Sequence, residues 1–290
     1  METSKNIIWL ASYPKSGNTW FRSFLTALKS ENEAIDINDL KTDGIFSTKE
    51  HIEHILDLES DYLLPHEVVL YQKISWNFLA EKAKRKLFVK IHDAFDYSDY
   101  HPDLSIVPEK QTFKAVYFVR HPYDVVPSLA NHFVKDMDKS IDFINNTTSA
   151  LADVKYKKRL EVANQFYQHL DTWNNHVKSW LERPQFPVLF IRYEDMKLHP
   201  FETFKKAIQF MEIDFSDEQI QNALEMTKFE NLRKQEEEKG FREKGTKTKF
   251  FFNKGEVNYG KSLLTEEQIN SINTVNEEMM KHFGYWPSKM

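Results

Sequence analysis

The sequence predicts an α/β fold in which a central parallel sheet carries helices on its faces. Four apolar runs have the length and composition of buried parallel strands: IIWLASY (7–13), KLFVKIH (86–92), FKAVYFVR (113–120) and FPVLFIRY (186–193). The first, third and fourth runs lead through a polar turn into a helical pattern. This repetition of strand, turn and helix is typical of a sheet with right-handed crossovers.

Helices are predicted from apolar periodicity and from capping residues. The segment after the first strand places five apolar side chains on one helical face: Trp20, Phe21, Phe24, Leu25 and Leu28. Asp124 is a candidate N-cap for the helix that follows the third strand, and Thr265 with Gln268 forms a capping-box pattern for the last helix. Further helices are expected over 74–84, around 155–182 and from Ser216 towards Glu238.

The composition restricts the classes of function. Of the 290 residues 41% are hydrophobic, so a large buried core is expected. The 39 basic and 44 acidic residues give a net charge of −5, which argues against a general nucleic-acid binder because such binding needs a surplus of Lys and Arg. The absence of cysteine excludes disulfides, cysteine-ligated metals and thiol nucleophiles.

Compartment and domain organisation follow from what the sequence lacks. No apolar run reaches the roughly 18 residues that a membrane-spanning helix needs, and the apolar stretch near the N-terminus is too short for a signal sequence. We therefore expect a cytoplasmic protein with no membrane partner. Repeats and linkers are not evident, so residues 1–290 are expected to form one domain. The oligomeric state stays open, a homodimer being one alternative.

The turn after the first strand, YPKSGNTW (13–20), has the chemistry of an anion site. Lys15 supplies a positive charge, Ser16 and Thr19 supply hydroxyl donors, Gly17 allows close backbone approach, and a helix N-terminus follows. The residue pattern of this turn differs from the nucleotide-binding pattern G-x-x-x-x-G-K-[ST], because here the lysine precedes a single glycine. An ordinary strand-to-helix turn with a solvated lysine is the alternative.

YPKSGNTW strongly resembles the 5′-phosphosulfate loop of sulfotransferases that use 3′-phosphoadenosine 5′-phosphosulfate (PAPS). Further segments are similar to motifs of the same family in the same order: VKIH (89–92), FVRHPYDVVPS (118–128), RYEDM (192–196), TKF (227–229) and FFNKGEVNYGKSLLT (251–265). The resemblance covers almost the whole chain and is closest in wording to bacterial cytosolic members that modify small molecules. It implies a three-layer α/β/α sulfotransferase fold of the P-loop nucleotide-kinase-like type.

The resemblance also implies a role for individual residues of the cofactor site. The 5′-phosphosulfate is assigned to the loop residues Lys15, Ser16, Gly17, Asn18 and Thr19. The 3′-phosphate is assigned to Arg120 and Ser128, and the adenine to Trp20 and Phe229. The adenosine-contacting segments and the C-terminal motif contribute Tyr193, Thr227, Asn253, Lys254 and Gly255.

Three residues are predicted to carry the chemistry of sulfuryl transfer to a hydroxyl group. His92 follows a predicted strand and can take the proton of the acceptor hydroxyl, because imidazole titrates near neutrality. Lys15 and Lys90 would stabilise the charge that grows on the departing phosphate. This scheme needs PAPS as co-substrate and a small-molecule hydroxyl as acceptor, and it needs no metal.

The C-terminal motif departs from the family pattern. Asn253 stands where the family has arginine, and Lys247 or Lys249 are candidates to replace the lost charge. The stretch 240–262 is predicted to be a long loop that is mobile when empty and closes over the cofactor. A nucleotide kinase and a non-catalytic nucleotide-binding protein remain as alternatives, although a kinase is disfavoured by the missing G-x-x-x-x-G-K pattern.

Overall fold

The structure of the protein is a computed structural model, and it describes residues 5–30, 34–95, 97–98, 101–133, 135–152, 164–245 and 248–286. The described strands are β1 (Ile7–Ser12), β2 (Leu87–Ile91), β3 (Tyr97–Ser98), β4 (His101–Ser105), β5 (Thr112–Val119), β6 (Ala150–Leu151), β7 (Gln168–His169) and β8 (Val188–Arg192). The described helices are α1 (Asn18–Lys29), α2 (Lys49–Leu56), α3 (Pro65–Lys82), α4 (Pro122–Phe133), α5 (Met137–Asn145), α6 (Trp173–Glu182), α7 (Tyr193–Leu198), α8 (Pro200–Phe210), α9 (Asp217–Met226), α10 (Phe229–Lys239) and α11 (Glu266–His282).

The central sheet contains the four predicted strands in the order β2-β1-β5-β8, and every neighbouring pair is parallel. The sequence prediction of these strands is therefore confirmed to within two residues at each end. Two short antiparallel pairs, β3 with β4 and β6 with β7, were not predicted. Strands as short as these carry too little alternation of apolar and polar residues to be recognised.

The sheet lies between two layers of helices because alternate residues of each strand face opposite sides. On one side, Ile8 and Leu10 of β1 belong to a buried cluster with Phe21 of α1 and Phe204 of α8, whose rings stack with centroids 5.4 Å apart. On the other side, Trp9 packs edge-on against Trp76 of α3 with centroids 6.1 Å apart. The expected three-layer α/β/α architecture is confirmed.

The parallel register brings the carboxyl ends of the four strands to one edge of the sheet. Ala11 pairs with Ile91 and Ser12 pairs with Phe118, while Val119 pairs with Arg192. The residues that follow these strands therefore emerge beside one another. Ligands of open α/β sheets bind at this edge.

The helix predicted over 74–84 is the second half of α3, which begins at Pro65. Three further helix predictions needed correction. The helix expected around 155–182 is only α6, which begins where the Thr172 side chain accepts a hydrogen bond from the backbone N–H of Asn175, and residues 153–163 lie outside the described chain. The helix expected from Ser216 to Glu238 is two helices, α9 and α10. It is interrupted at Thr227, whose hydroxyl donates back to the carbonyl of Ala223.

The third correction concerns Asp124, which does not cap α4. That helix begins at Pro122, a residue suited to the first helical position because it has no N–H to satisfy, so Asp124 lies inside the first turn. The predicted capping box of Thr265 and Gln268 is confirmed at the start of α11.

The loop predicted over 240–262 is confirmed for the described part of 240–259, which contains neither helix nor strand. Its end was wrong, because Gly260–Leu263 form a 3₁₀-helix. No helix within the described residues is both long enough and apolar enough to cross a membrane.

Candidate active site

A cavity of about 670 Å³ opens at the carboxyl edge of the sheet. Most of the predicted site residues line it: Lys15, Gly17, Asn18, Thr19, Trp20, Lys90, His92, Arg120, Ser128, Tyr193, Phe229, Asn253, Lys254 and Gly255. Ser16 and Thr227 are the two predicted residues that are not part of the lining. The motifs, which are far apart in the sequence, thus line one cavity in the fold.

The first turn is shaped to approach an anion with its backbone. Gly17 has φ 102°, and a Cβ atom at this position would lie 2.8 Å from the ring of Tyr193, so no other residue fits without strain. The first turn of α1 carries no acidic residue, which leaves its positive end uncompensated. Asn18 closes the turn by donating from its amide to the carbonyl of Leu10 at 2.8 Å.

Three polar atoms of this turn are buried without a hydrogen-bond partner among the described residues: the Lys15 ammonium, the Ser16 hydroxyl and the Asn18 amide oxygen. The Lys15 Nζ lies 3.5 Å from the ring centroid of Phe251. Burial, together with the nearby charges of Lys90 and Arg120, lowers the pKa of Lys15 to about 7. A bound anion would stabilise the charged form of Lys15, because no described residue forms a hydrogen bond with this buried ammonium.

Arg120 extends the same anion site from the end of β5. Its guanidinium donates to the backbone carbonyls of Lys15 and Glu256, each at 3.1 Å, and lies 4.2 Å from the ring centroid of Tyr193. Its Nε remains buried without a partner within the described chain. Ser128 reaches the same cavity from α4. The two residues predicted to hold a second phosphate therefore line the same cavity as the first turn, and Arg120 contacts that turn directly.

Arg120 does not pair with Asp124, which was the alternative interpretation of its sequence position. The Asp124 carboxylate accepts the backbone N–H groups of Asn258 and Gly260, both at 2.8 Å. This leaves the guanidinium available to the cavity. The carboxylate instead fastens the C-terminal loop to α4.

Two aromatic side chains, Trp20 and Phe229, line the cavity near one cation. The Lys197 Nζ lies 5.5 Å from the ring of Trp20 and 5.7 Å from that of Phe229. Gly255 has φ 63°, and a Cβ there would lie 2.4 Å from the Phe229 ring, so the loop backbone packs directly on this ring. Two aromatic rings and one cation therefore lie together in this part of the cavity wall.

Thr227 supports this region from behind rather than from within the cavity. Its side chain is fully buried and its hydroxyl is already bonded to the helix carbonyl of Ala223. Its own backbone carbonyl accepts from the indole N–H of Trp20 at 2.9 Å. The position that was predicted to contact a ligand thus orients Trp20.

The ring of His92 is oriented by Ser12, whose hydroxyl lies 3.2 Å from Nδ1 in addition to the closer backbone carbonyl. The Nδ1 atom lies 2.8 Å from the carbonyl oxygen of Ser12, which can only accept, so Nδ1 carries the proton and Nε2 is an unprotonated acceptor. Burial and the charge of Lys90 hold the pKa of His92 well below its usual range. The imidazole is therefore neutral and able to take a proton at Nε2.

The backbone beside His92 is held by a second histidine. His176 donates from Nε2 to the His92 carbonyl at 2.8 Å, and its Nδ1 accepts from the hydroxyl of Tyr117 at 2.7 Å. All three groups are buried in the layer of α6. This chain of contacts fixes the end of β2.

Glu243 is the site residue that sequence reasoning missed. Its carboxylate bridges Lys90 at 2.8 Å and Arg22 at 2.6 Å, inside the cavity. Burial alone would raise the pKa of this carboxyl, but Lys90 and Arg22 together hold it well below the usual range. The only signal in the sequence was a lone acid within a basic stretch.

The C-terminal loop covers the cavity and is fastened at several points. The Glu236 carboxylate accepts the backbone N–H groups of Phe251 and Phe252, in addition to the bonds that Asp124 makes. Arg242 and Lys244 line the cavity, whereas Lys249 does not. Lys249 therefore does not replace the charge missing at Asn253, and Lys247 lies outside the described residues.

Comparison with known proteins agrees with this geometry. The family model described as "Sulfotransferase domain" matches residues 5–284. Cytosolic sulfotransferase 12 of Arabidopsis thaliana is 25% identical over 291 residues, which cover 98% of this chain and 80% of the relative. Flavonol 3-sulfotransferase of Flaveria bidentis is 24% identical over 293 residues, covering 96% and 83%.

Solved structures show the same fold. Retinol dehydratase, in complex with androsterone and the inactive cofactor PAP, superposes with a TM-score of 0.62 at 19% identity, over 96% of this chain and 81% of that one. Mouse sulfotransferase SULT7A1 complexed with PAP gives a TM-score of 0.57 at 19% identity, over 97% and 87%. The match of the family model over nearly the whole chain, together with the parallel sheet, leads to one conclusion: this chain belongs to the sulfotransferase family.

Proposed function

We propose that this protein transfers a sulfuryl group from PAPS to a hydroxyl group of a small-molecule acceptor. The observation that carries the proposal is a group of buried hydrogen-bond donors without a partner among the described residues: the Lys15 ammonium and the Arg120 Nε, whose residues line the cavity, and the Ser16 hydroxyl next to Lys15. Buried polar groups are almost always satisfied. Anionic groups of a ligand would satisfy these.

The described residues fit the separate parts of PAPS. The 5′-phosphosulfate would lie against the first turn, where Lys15, Ser16 and the N-terminus of α1 converge. Arg120 and Ser128 would hold the 3′-phosphate, and the adenine would lie between Trp20 and Phe229. Two relatives in the solved structures are complexes with PAP, which supports the same ligand here.

His92 would act as the general base in this reaction. Its Nε2 lone pair can accept the proton of the acceptor hydroxyl while the Ser12 carbonyl keeps the proton on Nδ1 in place. PAPS supplies the sulfuryl group and an adenosine bisphosphate leaving group. Lys15 and Lys90 would then stabilise the negative charge that develops on the leaving phosphate, in the low-dielectric cavity where such charges interact strongly.

The acceptor side of the cavity is partly apolar. Ile45, Phe133 and Leu151 line it together with the polar side chains of Asn164 and Gln165. The name of one relative refers to a flavonol, and the solved retinol dehydratase holds androsterone. These observations support an acceptor that presents a hydroxyl on an apolar ring system.

Ligand-dependent thermal unfolding and a transfer assay test the proposal. We expect adenosine 3′,5′-bisphosphate (PAP) to raise the melting temperature, because it binds the folded state only, and ATP to have little effect. A panel of phenols, alcohols and glycosylated metabolites with sulfur-labelled PAPS should yield labelled product. Stabilisation by ATP alone would indicate a kinase, and PAP binding without transfer to any acceptor would indicate a non-catalytic binder.

A further inference from the structure

The Glu243 carboxylate lies where a ligand anion is expected. Among the described residues that line the cavity it is the only acid, whereas Lys15, Lys90, Arg120, Lys197, Arg242, Lys244 and Lys254 are basic. A carboxylate at this position lowers the affinity for an anionic ligand, because it repels any anion that enters the cavity. Its presence is explained if it has a function there. It also lies on the loop and not on the rigid sheet.

We propose that Glu243 lowers the affinity of the site for the donor PAPS relative to its affinity for the product PAP. In the empty site the Glu243 carboxylate holds Lys90 and occupies the place that the transferred sulfonate takes. This inference rests on the proposed function. Lys90 Nζ lies 2.8 Å from the carboxylate, so a sulfonate oxygen that contacts the same ammonium must displace it or share it. During transfer Lys90 would face the oxygen that bridges the sulfonate and the leaving phosphate. PAP has lost the sulfonate, so with PAP bound Lys90 would return to Glu243.

Arg22 makes the exchange possible without expelling the loop. It lies on α1 and donates from Nη1 to Glu243 at 2.6 Å, while its Nε donates to the hydroxyl of Thr42 at 3.3 Å. The carboxylate therefore keeps one cation when Lys90 turns to the sulfonate. A carboxylate with a single partner would be left buried and uncompensated after the exchange, which is expensive.

The loop covers the second catalytic lysine as well. Phe251 places its ring 3.5 Å from the Lys15 ammonium, so both lysines that face the reacting group are met by loop side chains in this structure. The Glu243 side chain remains 22% exposed, which leaves it room to move. The resting site is thus partly neutralised by its own loop.

Binding of PAPS and PAP to Glu243→Gln tests the proposal. The two nucleotides have about the same total charge near neutral pH. In PAPS one of the negative charges lies on the sulfonate, whereas in PAP that charge lies on the 5′-phosphate. We expect the ratio of PAPS affinity to PAP affinity to rise about tenfold in the variant, which corresponds to about 1.4 kcal/mol. Calorimetry without acceptor measures both affinities, and the exposed Glu218→Gln on α9 is the matched control.

A second variant guards against loss of folding. Glu243→Asp keeps the charge on a shorter side chain that cannot span both cations, so the ratio should rise by a smaller factor, with an unchanged melting temperature as the check. If Glu243→Gln weakens both nucleotides by the same factor, the residue only anchors the loop and this inference is wrong. If the wild-type protein binds neither nucleotide, the proposed function fails with it.

Discussion

The Arg120 guanidinium donates to the backbone carbonyl of Lys15 at 3.1 Å, across 105 residues of sequence. This contact joins the end of β5 to the turn that follows β1. It means that two motifs which were predicted to bind different phosphates form one continuous surface.

Arg120→Lys should weaken PAP binding about tenfold to a hundredfold. A lysine keeps the charge but loses the planar fork, and hydrogen bonds to charged groups contribute about 1.5–3 kcal/mol. Binding of adenosine 5′-phosphate, which lacks the 3′-phosphate, should change much less. Calorimetry with both nucleotides measures the two effects, and an equal loss for both would contradict the assignment of Arg120 to the 3′-phosphate.

His92→Ala should lower kcat by about 10² to 10⁴ while PAP binding is retained. This range is typical for removal of a general base. Labelled transfer measures kcat and calorimetry measures PAP affinity, with the exposed His54→Ala on α2 as control. Full activity in His92→Ala would rule out the general-base role and leave the cofactor site intact.

PAP affinity should decrease as the pH rises from about 7 to 9. The pKa of Lys15 is about 7 in the empty protein because burial and neighbouring cations disfavour its charge, and a bound phosphate favours the charged form. Binding above pH 7 therefore takes up a proton. Calorimetry in buffers of different ionisation enthalpy counts this proton, and Lys15→Arg, which stays charged, should bind without taking it up.

The protein should lose stability as the pH falls below about 6.5. Burial is the main cause that lowers the pKa of His121 to about 4, of His132 to about 3 and of His176 to about 4. Below pH 6.5 the unfolded chain binds protons that the folded chain excludes, so the stability present above pH 6.5 is lost as the pH falls towards these values. Each histidine should cost about 1–2 kcal/mol at pH 5.

Urea unfolding at pH 7 and pH 5 measures this loss. His176→Phe would keep the packing against Tyr13 and Tyr117 while removing one titrating group, so its stability should depend less on pH in this interval. An unchanged slope would show that His176 does not contribute.

Asp124→Asn should loosen the C-terminal loop at Asn258 and Gly260. The neutral amide can accept with only one of its two polar atoms, so one backbone N–H loses its acceptor and the other keeps only an uncharged one, at a cost of about 1.5–3 kcal/mol. Hydrogen exchange of these amides should accelerate and PAP affinity should fall, since the same loop carries Lys254. The exposed Asp142→Asn on α5 should change neither quantity.

Particular residues show how far the sequence reached. The strands could be predicted because each is one contiguous apolar run, such as 7–13 or 113–120. The first turn could be predicted because its lysine, glycine and hydroxyl groups lie within a few residues of one another. The break between α9 and α10 was not predicted. The Thr227 hydroxyl donates to the carbonyl of Ala223 in its own helix, and the spacing of apolar residues in the sequence gives no sign of this bond. Thr227 was assigned to the cofactor site by the family resemblance, whereas its hydroxyl is bonded within its own helix and its carbonyl accepts from Trp20.

By itself the sequence determined the α/β class, the chemistry of the anion-binding turn and the presence of a histidine at the end of the second sheet strand, because each depends on residues that are close together in the chain. Only the tertiary structure decided that Arg120 reaches Lys15 and that Glu243 meets Lys90 across 153 residues. The physical reason is that an ion pair depends on distance in space and on burial, and neither is set by the residues next to it in the chain.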